Sequence, residues 1–100
     1  MRGFIAAASL DLSLPWATSL KDRRKPVAGM RERLRRMGIS CTDLSAEASV
    51  RHARLVLAAT GESATAAEAR IAEAIELVDA HPDLVMASPT VLVRSFDELD

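Results

Sequence analysis

Eight basic side chains crowd into residues 19–38 (Lys21, Arg23, Arg24, Lys25, Arg31, Arg33, Arg35 and Arg36) against only Asp22 and Glu32, a local charge of +6. Guanidinium groups hold phosphates and carboxylates through paired N–H donors, so a cluster of this kind has the chemistry of an anion-binding surface. On a helix, Arg24, Arg31 and Arg35 fall within about 40° of one another with Ala28 between them. The resulting stripe, roughly 16 Å long, could follow a line of phosphates on structured RNA or a ribonucleoprotein. The same surface suits an acidic protein partner, and a solvated helix face needs no partner at all. Lys21, Arg23 and Arg24 occupy the opening turns of that helix, where free backbone N–H groups and the dipole attract anions. Arg23 also falls close to the apolar side, where its stem could cover the end of the core.

Other chemistry is sparse. Cys41 is the single cysteine, reads as a small hydrophobe facing the core, and has no histidine near it in sequence to activate a thiolate. His52 lies between Arg51 and Arg54, and His81 stands at a helix C-terminus, where the dipole favours an imidazolium. No metal-ligand spacing, phosphate loop, nucleophile elbow or cofactor motif is present, so the sequence points away from an enzyme. With no Tyr, one Trp and two Phe, the chain lacks the aromatic rows of RNA recognition motifs. Trp16, after Pro15, is read as a lid on the end of the core or as an exposed anchor for a partner.

One hundred residues at 49% hydrophobic and 27% charged suit one domain with one core. The expected limits are a single domain over residues 1–95 and an acidic tail at 96–100. Outside the basic segment the charge is −7, so the molecule is strongly polar although its net charge is only −1. No stretch is long and apolar enough to cross a bilayer. The first ten residues briefly resemble a secretory leader, but the apolar run ends at Asp11 without a cleavage site, and the lone cysteine fits a reducing, cytoplasmic setting.

Period-two alternation over residues 3–12 predicts a first strand with Phe4, Ala6, Ala8, Leu10 and Leu12 on one side. Ser19 is an N-cap for a helix whose apolar side is Leu20, Val27, Met30, Leu34 and Met37, ended by Gly38. Pro26 inside it predicts a kink or a disturbed start. Residues 39–45 and 54–60 read as second and third strands joined by a turn at 46–53. Thr65 and Glu68 form a capping box before a second helix that carries Ile71, Ala74, Ile75 and Val78. Residues 84–95 read as a fourth strand, placed at a sheet edge by Pro89. The order βαββαβ with right-handed crossovers predicts an α+β, ferredoxin-like fold: an antiparallel four-stranded sheet, order 4-1-3-2, with two helices on one face. The other face would then expose Ile5, Ala7, Val56 and Ala58, a flat apolar patch suited to a homodimer.

Ser19-Leu20-Lys21-Asp22-Arg23-Arg24 resembles the Ser-Leu-Lys-acidic-basic-Arg signature that opens the first helix of the uncharacterised YlxP-like family. The likeness extends over roughly residues 3–92 through the first strand, the basic helix, Asp43, the apolar strand at Leu55–Ala59 and the phrase Pro82-Asp83-Leu84. It implies a ferredoxin-like fold and a bacterial cytosolic setting, with genes often beside those of ribosome maturation and translation initiation. It implies no particular activity. Val50 stands where members usually carry tryptophan, and Pro26 where they carry an apolar or basic helix former.

Overall fold

The computed structural model describes residues 3–46 and 49–99, the last two by backbone alone. Its elements are β1 (Phe4–Ser13), α1 (Leu20–Arg36), β2 (Ser40–Asp43), β3 (His52–Gly61), α2 (Ala64–Asp79), β4 (Val85–Met86), β5 (Thr90–Ser95) and a helical turn α3 (Phe96–Leu99). The fold is α+β. All strands join one antiparallel sheet in the order β2-β3-β1-β4, with β5 also paired to β1.

Alternation along β1 and β3 builds the core. Ala6, Ala8, Leu10 and Leu12 of β1 and Ala53, Leu55, Leu57 and Ala59 of β3 are buried on one face of the sheet. Against them pack Val27, Met30 and Leu34 of α1 and Ala67, Ile71, Ala74 and Val78 of α2. The alanines of β1, β3 and α2 let helix and sheet backbones approach closely. α1 lies over β2 and β3, and α2 over β3, β1 and β5.

The helix ends follow local chemistry. The Ser19 side chain accepts the Asp22 N–H at 3.1 Å. At the other end Gly38, at φ +78°, donates to the Arg35 carbonyl while Ile39 donates to Leu34, the paired bonds of a Schellman stop. Arg70 of α2 caps the same end, its Nη2 donating to the carbonyls of Met37 (3.2 Å) and Gly38 (3.1 Å).

Several expectations need correction. The fourth strand is two, β4 and β5: the ladder lapses at residues 87–89, where Ala87 still donates to the Asp11 carbonyl (3.0 Å) but Pro89 has no N–H to offer. The sheet therefore has five strands. α1 runs without a break through Pro26. That proline deprives only Asp22 of its helical donor, one turn into the helix, while buried Arg23 and Val27 on either side hold the backbone in place. α2 is capped by Ser63, which accepts the Ala66 N–H at 3.0 Å, so Thr65 lies inside the first turn and the expected capping box does not form. Of the turn expected at 46–53, residues 52 and 53 already belong to β3, and 47 and 48 lie outside the described residues. The segment read as an acidic tail begins with α3, anchored where Phe96 N–H donates to the Gly3 carbonyl (2.9 Å).

Candidate functional site

α1 presents its charges in three sectors. Arg23 turns inward and is only 3% exposed. Its Nη1 donates to the carbonyl oxygens of Ala46 (2.8 Å) and Ser49, clipping the β2–β3 connection to the helix. This removes Arg23 from the anion surface: a guanidinium bonded to backbone carbonyls under the connection is not presented to a ligand.

Arg24, Arg31 and Arg35 are exposed along the flank of α1 that faces β2. Two adjoining clefts run between helix and strand and share Ala28 and Arg31. One, about 340 Å³, is bordered by Arg24, Asp43 and Ser45; the other, about 370 Å³, by Arg35, Ser40 and Cys41. The arginine stripe thus forms one wall of a continuous groove. Arg35 is partly committed, since Glu32 accepts from its Nη2 at 2.6 Å and its Nε at 3.1 Å, and also lies 3.5 Å from Arg36.

The opposite wall bears Asp43. Burial pushes its carboxyl up, but bonds from the Ser45 N–H (2.9 Å) and hydroxyl, with the charges of Arg23 and Arg31, outweigh that and hold it below the usual value. Cys41 is half-buried against the core, and burial raises its thiol pKa despite the proximity of Arg31. A thiol held protonated in this way is a poor nucleophile. Among the described residues no group of three or more His, Cys, Asp or Glu is placed to hold a metal ion.

Lys21 and Lys25 are exposed on a further sector of α1. Trp16 is not a lid on the core. It is 46% exposed, and its Nε1–H donates to the Asp83 carbonyl at 2.9 Å, joining the loop before α1 to the turn after α2. His81 accepts the Asp83 N–H at Nδ1 (3.1 Å), which ties the ring to the turn after α2. His52 is exposed at the start of β3.

On the sheet face turned from the helices, register gathers Ile5, Ala7, Val56 and Ala58. Ala7 stands opposite Ala58 on one side and Leu92 on the other. The four are half-buried by their neighbours, and Leu92, which sequence reasoning missed, is 50% exposed. The apolar run Val91-Leu92-Val93 was visible, but the pairing with β1 that sets Leu92 on this face was not. The Asp11–Arg54 ion pair (2.8 Å) and Arg94 stand at opposite ends of the patch.

No helix among the described residues is long and apolar enough to cross a membrane. No curated protein matches the chain. Residues 5–90, which contain the basic helix, both walls of its groove and the Trp16 loop, match a family described as a protein of unknown function, DUF503. The chain belongs to the DUF503 family of proteins of unknown function.

Proposed function

We propose that the protein is a non-enzymatic binding module that contacts structured RNA, alone or in a ribonucleoprotein, through the basic flank of α1. The observation that carries this reading is the groove between α1 and β2, with Arg24, Arg31 and Arg35 along one wall. A helix flank of about 16 Å with forked donors matches several phosphates of one strand, and such contacts position a nucleic acid without reading its sequence. The YlxP-like resemblance adds the company of translation genes and a cytoplasmic, bacterial setting. The sheet order, with both helices on one face, supports placing the fold among ferredoxin-like domains.

The test is a titration against folded ribosomal RNA fragments across a range of salt, with the Arg24→Gln/Arg31→Gln/Arg35→Gln variant in parallel. Wild-type affinity should fall steeply with salt. In the variant the log–log slope should lessen, each lost phosphate contact removing a little under one. Affinity near physiological salt should drop about 30-fold. Absence of binding at low salt would exclude the RNA reading and turn attention to an acidic protein partner in the same groove.

A homodimer through the open sheet face is supported by the contiguous patch of Ile5, Ala7, Val56, Ala58 and Leu92. Sedimentation equilibrium should give twice the chain mass at micromolar concentration, and Ala58→Glu should return it to the monomer, with a lower Tm that no longer depends on protein concentration. A monomeric wild type removes the dimer from the proposal.

A further inference from the structure

A cleft of about 660 Å³ opens between the first turns of α1 and the turn after α2, lined by Trp16, Lys21, Lys25, His81 and Asp83 among others. Its volume lies in the range of small-molecule sites. Its chemistry differs from that of the arginine groove, because it sets one aromatic ring beside two ammonium groups and two carboxylates, Asp22 and Asp83.

The ring is held in position. Trp16 Nε1–H is bonded to the Asp83 carbonyl, and the Asp83 N–H is bonded to His81 Nδ1, so Asp83 is tied at both backbone groups and Trp16 is tied to it. Ordering an aromatic platform is a cost of binding that folding has here already met. Lys21 and Lys25 are one turn apart on α1 and therefore neighbours. Among the described residues neither joins an ion pair. Asp22, the other carboxylate at the rim, accepts the Thr18 N–H and hydroxyl, both at 2.9 Å, which hold its carboxyl below the usual range. Asp83 is left as the exposed acceptor of the cleft.

We infer that this cleft is a nucleotide site in which a guanine base stacks on Trp16 and its phosphate rests on Lys21 and Lys25. An aromatic ring accepts any base by stacking. Guanine is singled out by Asp83, since an ionised carboxylate only accepts hydrogen bonds and guanine presents N1–H and the N2 amino group side by side. Two lysines supply phosphate affinity as point charges without demanding one geometry. The guanine can belong to a free nucleotide or to an unpaired position of an RNA. The site stands on residues separate from the arginine groove and so does not rest on the RNA reading. At 100° per residue, Lys21 and Lys25 form the wall of the cleft nearer the arginine stripe, so one RNA could engage both.

Trp16 is the sole tryptophan and reports on its own site by fluorescence. GMP, AMP, CMP and UMP are titrated at low salt, followed by RNA hairpins with and without an unpaired G. GMP should quench Trp16 saturably at a half-point at least fivefold below those of AMP, CMP and UMP. Asp83→Asn should abolish that preference, and Lys21→Gln/Lys25→Gln should raise the GMP half-point about tenfold. Far-UV circular dichroism of the variants should match wild type. If GMP and the unpaired-G hairpin both quench, the nucleotide can come from RNA. If GMP quenches and no RNA binds at any salt, the site holds a free nucleotide and the RNA reading falls alone. If RNA binds without altering Trp16 emission and no mononucleotide quenches at millimolar concentration, the inference is overturned with the RNA reading intact. Equal quenching by all four nucleotides, unchanged in Asp83→Asn, would overturn the guanine assignment.

Discussion

Replacing Arg23 with alanine is expected to lower stability by about 3 kcal/mol, among the largest effects of any single substitution on the basic helix. The guanidinium is 3% exposed and donates to the carbonyls of Ala46 and Ser49, which come from a connection more than twenty residues away in sequence. Hydrogen bonds to a charged group contribute about 1.5–3 kcal/mol each, and their loss leaves two carbonyls in need of donors while the arginine stem no longer fills the end of the core. In a domain of this size 1 kcal/mol shifts Tm by about 4–8 °C, so thermal unfolding should move down by roughly 15 °C. Arg23→Lys keeps the charge but not the forked donor, and should recover less than half of the loss. Hydrogen exchange at Val50 and Arg51 should accelerate in the alanine variant before global unfolding. A Tm within about 2 °C of wild type would show that the β2–β3 connection does not depend on this clip. Arg33→Ala, on an exposed side of the same helix, serves as the comparison for the loss of one positive charge.

The second large effect is expected at Gly61, the last residue of β3. A Cβ there would stand 2.5 Å from the Ala67 nitrogen, 2.9 Å from its Cα and 3.1 Å from the Ala66 carbonyl carbon. These are backbone atoms of the first turn of α2, which cannot turn aside as a side chain can, so Gly61→Ala must push the helix off the sheet. Crowding of this kind costs about 1–3 kcal/mol, more than the roughly 0.4–1 kcal/mol that alanine returns by restricting the unfolded chain. Gly29→Ala should act in the opposite direction. Nothing lies within 4 Å of a Cβ at Gly29, in the middle of α1, and helix propensity alone should raise stability by about 0.5–1 kcal/mol. Urea unfolding of the two variants should give midpoints on either side of wild type with unchanged slopes. Midpoints that move together would remove the steric account of Gly61.

Neither effect can be read from a position's residue type. Arg23 was placed near the apolar side of the helix by the wheel alone, which located its stem but could not name Ala46 and Ser49 as its partners. Gly61 directly follows the strand expected at 54–60, and the helical turn it touches is visible only once β3 and α2 are packed. Trp16 is similar. Its neighbours suggested an exposed anchor or a lid, whereas its N–H finds the Asp83 carbonyl across 67 residues. The arginine stripe was legible in full because its members share one helix, where 3.6 residues per turn sets their relation whatever surrounds them. What the stripe faces, β2 with Ser40, Cys41 and Asp43, depended on the side from which the helix docks.

The sequence by itself determined the elements whose signals are local. Alternation placed β1 and its buried Ala6, Ala8, Leu10 and Leu12, and Ser19 and Gly38 bounded α1, because side-chain periodicity and cap chemistry act within a few residues. Tertiary structure decided among local signals that competed. Pro26 stays inside a continuous helix because Arg23 and Val27 are buried beside it. Ser63, not Thr65, caps α2, whose first turn packs closely on Gly61. The last strand divides at residues 87–89, where Pro89 interrupts pairing with β1. In each case two conformations were locally acceptable, and long-range burial and hydrogen bonding, invisible in a window of ten residues, selected one.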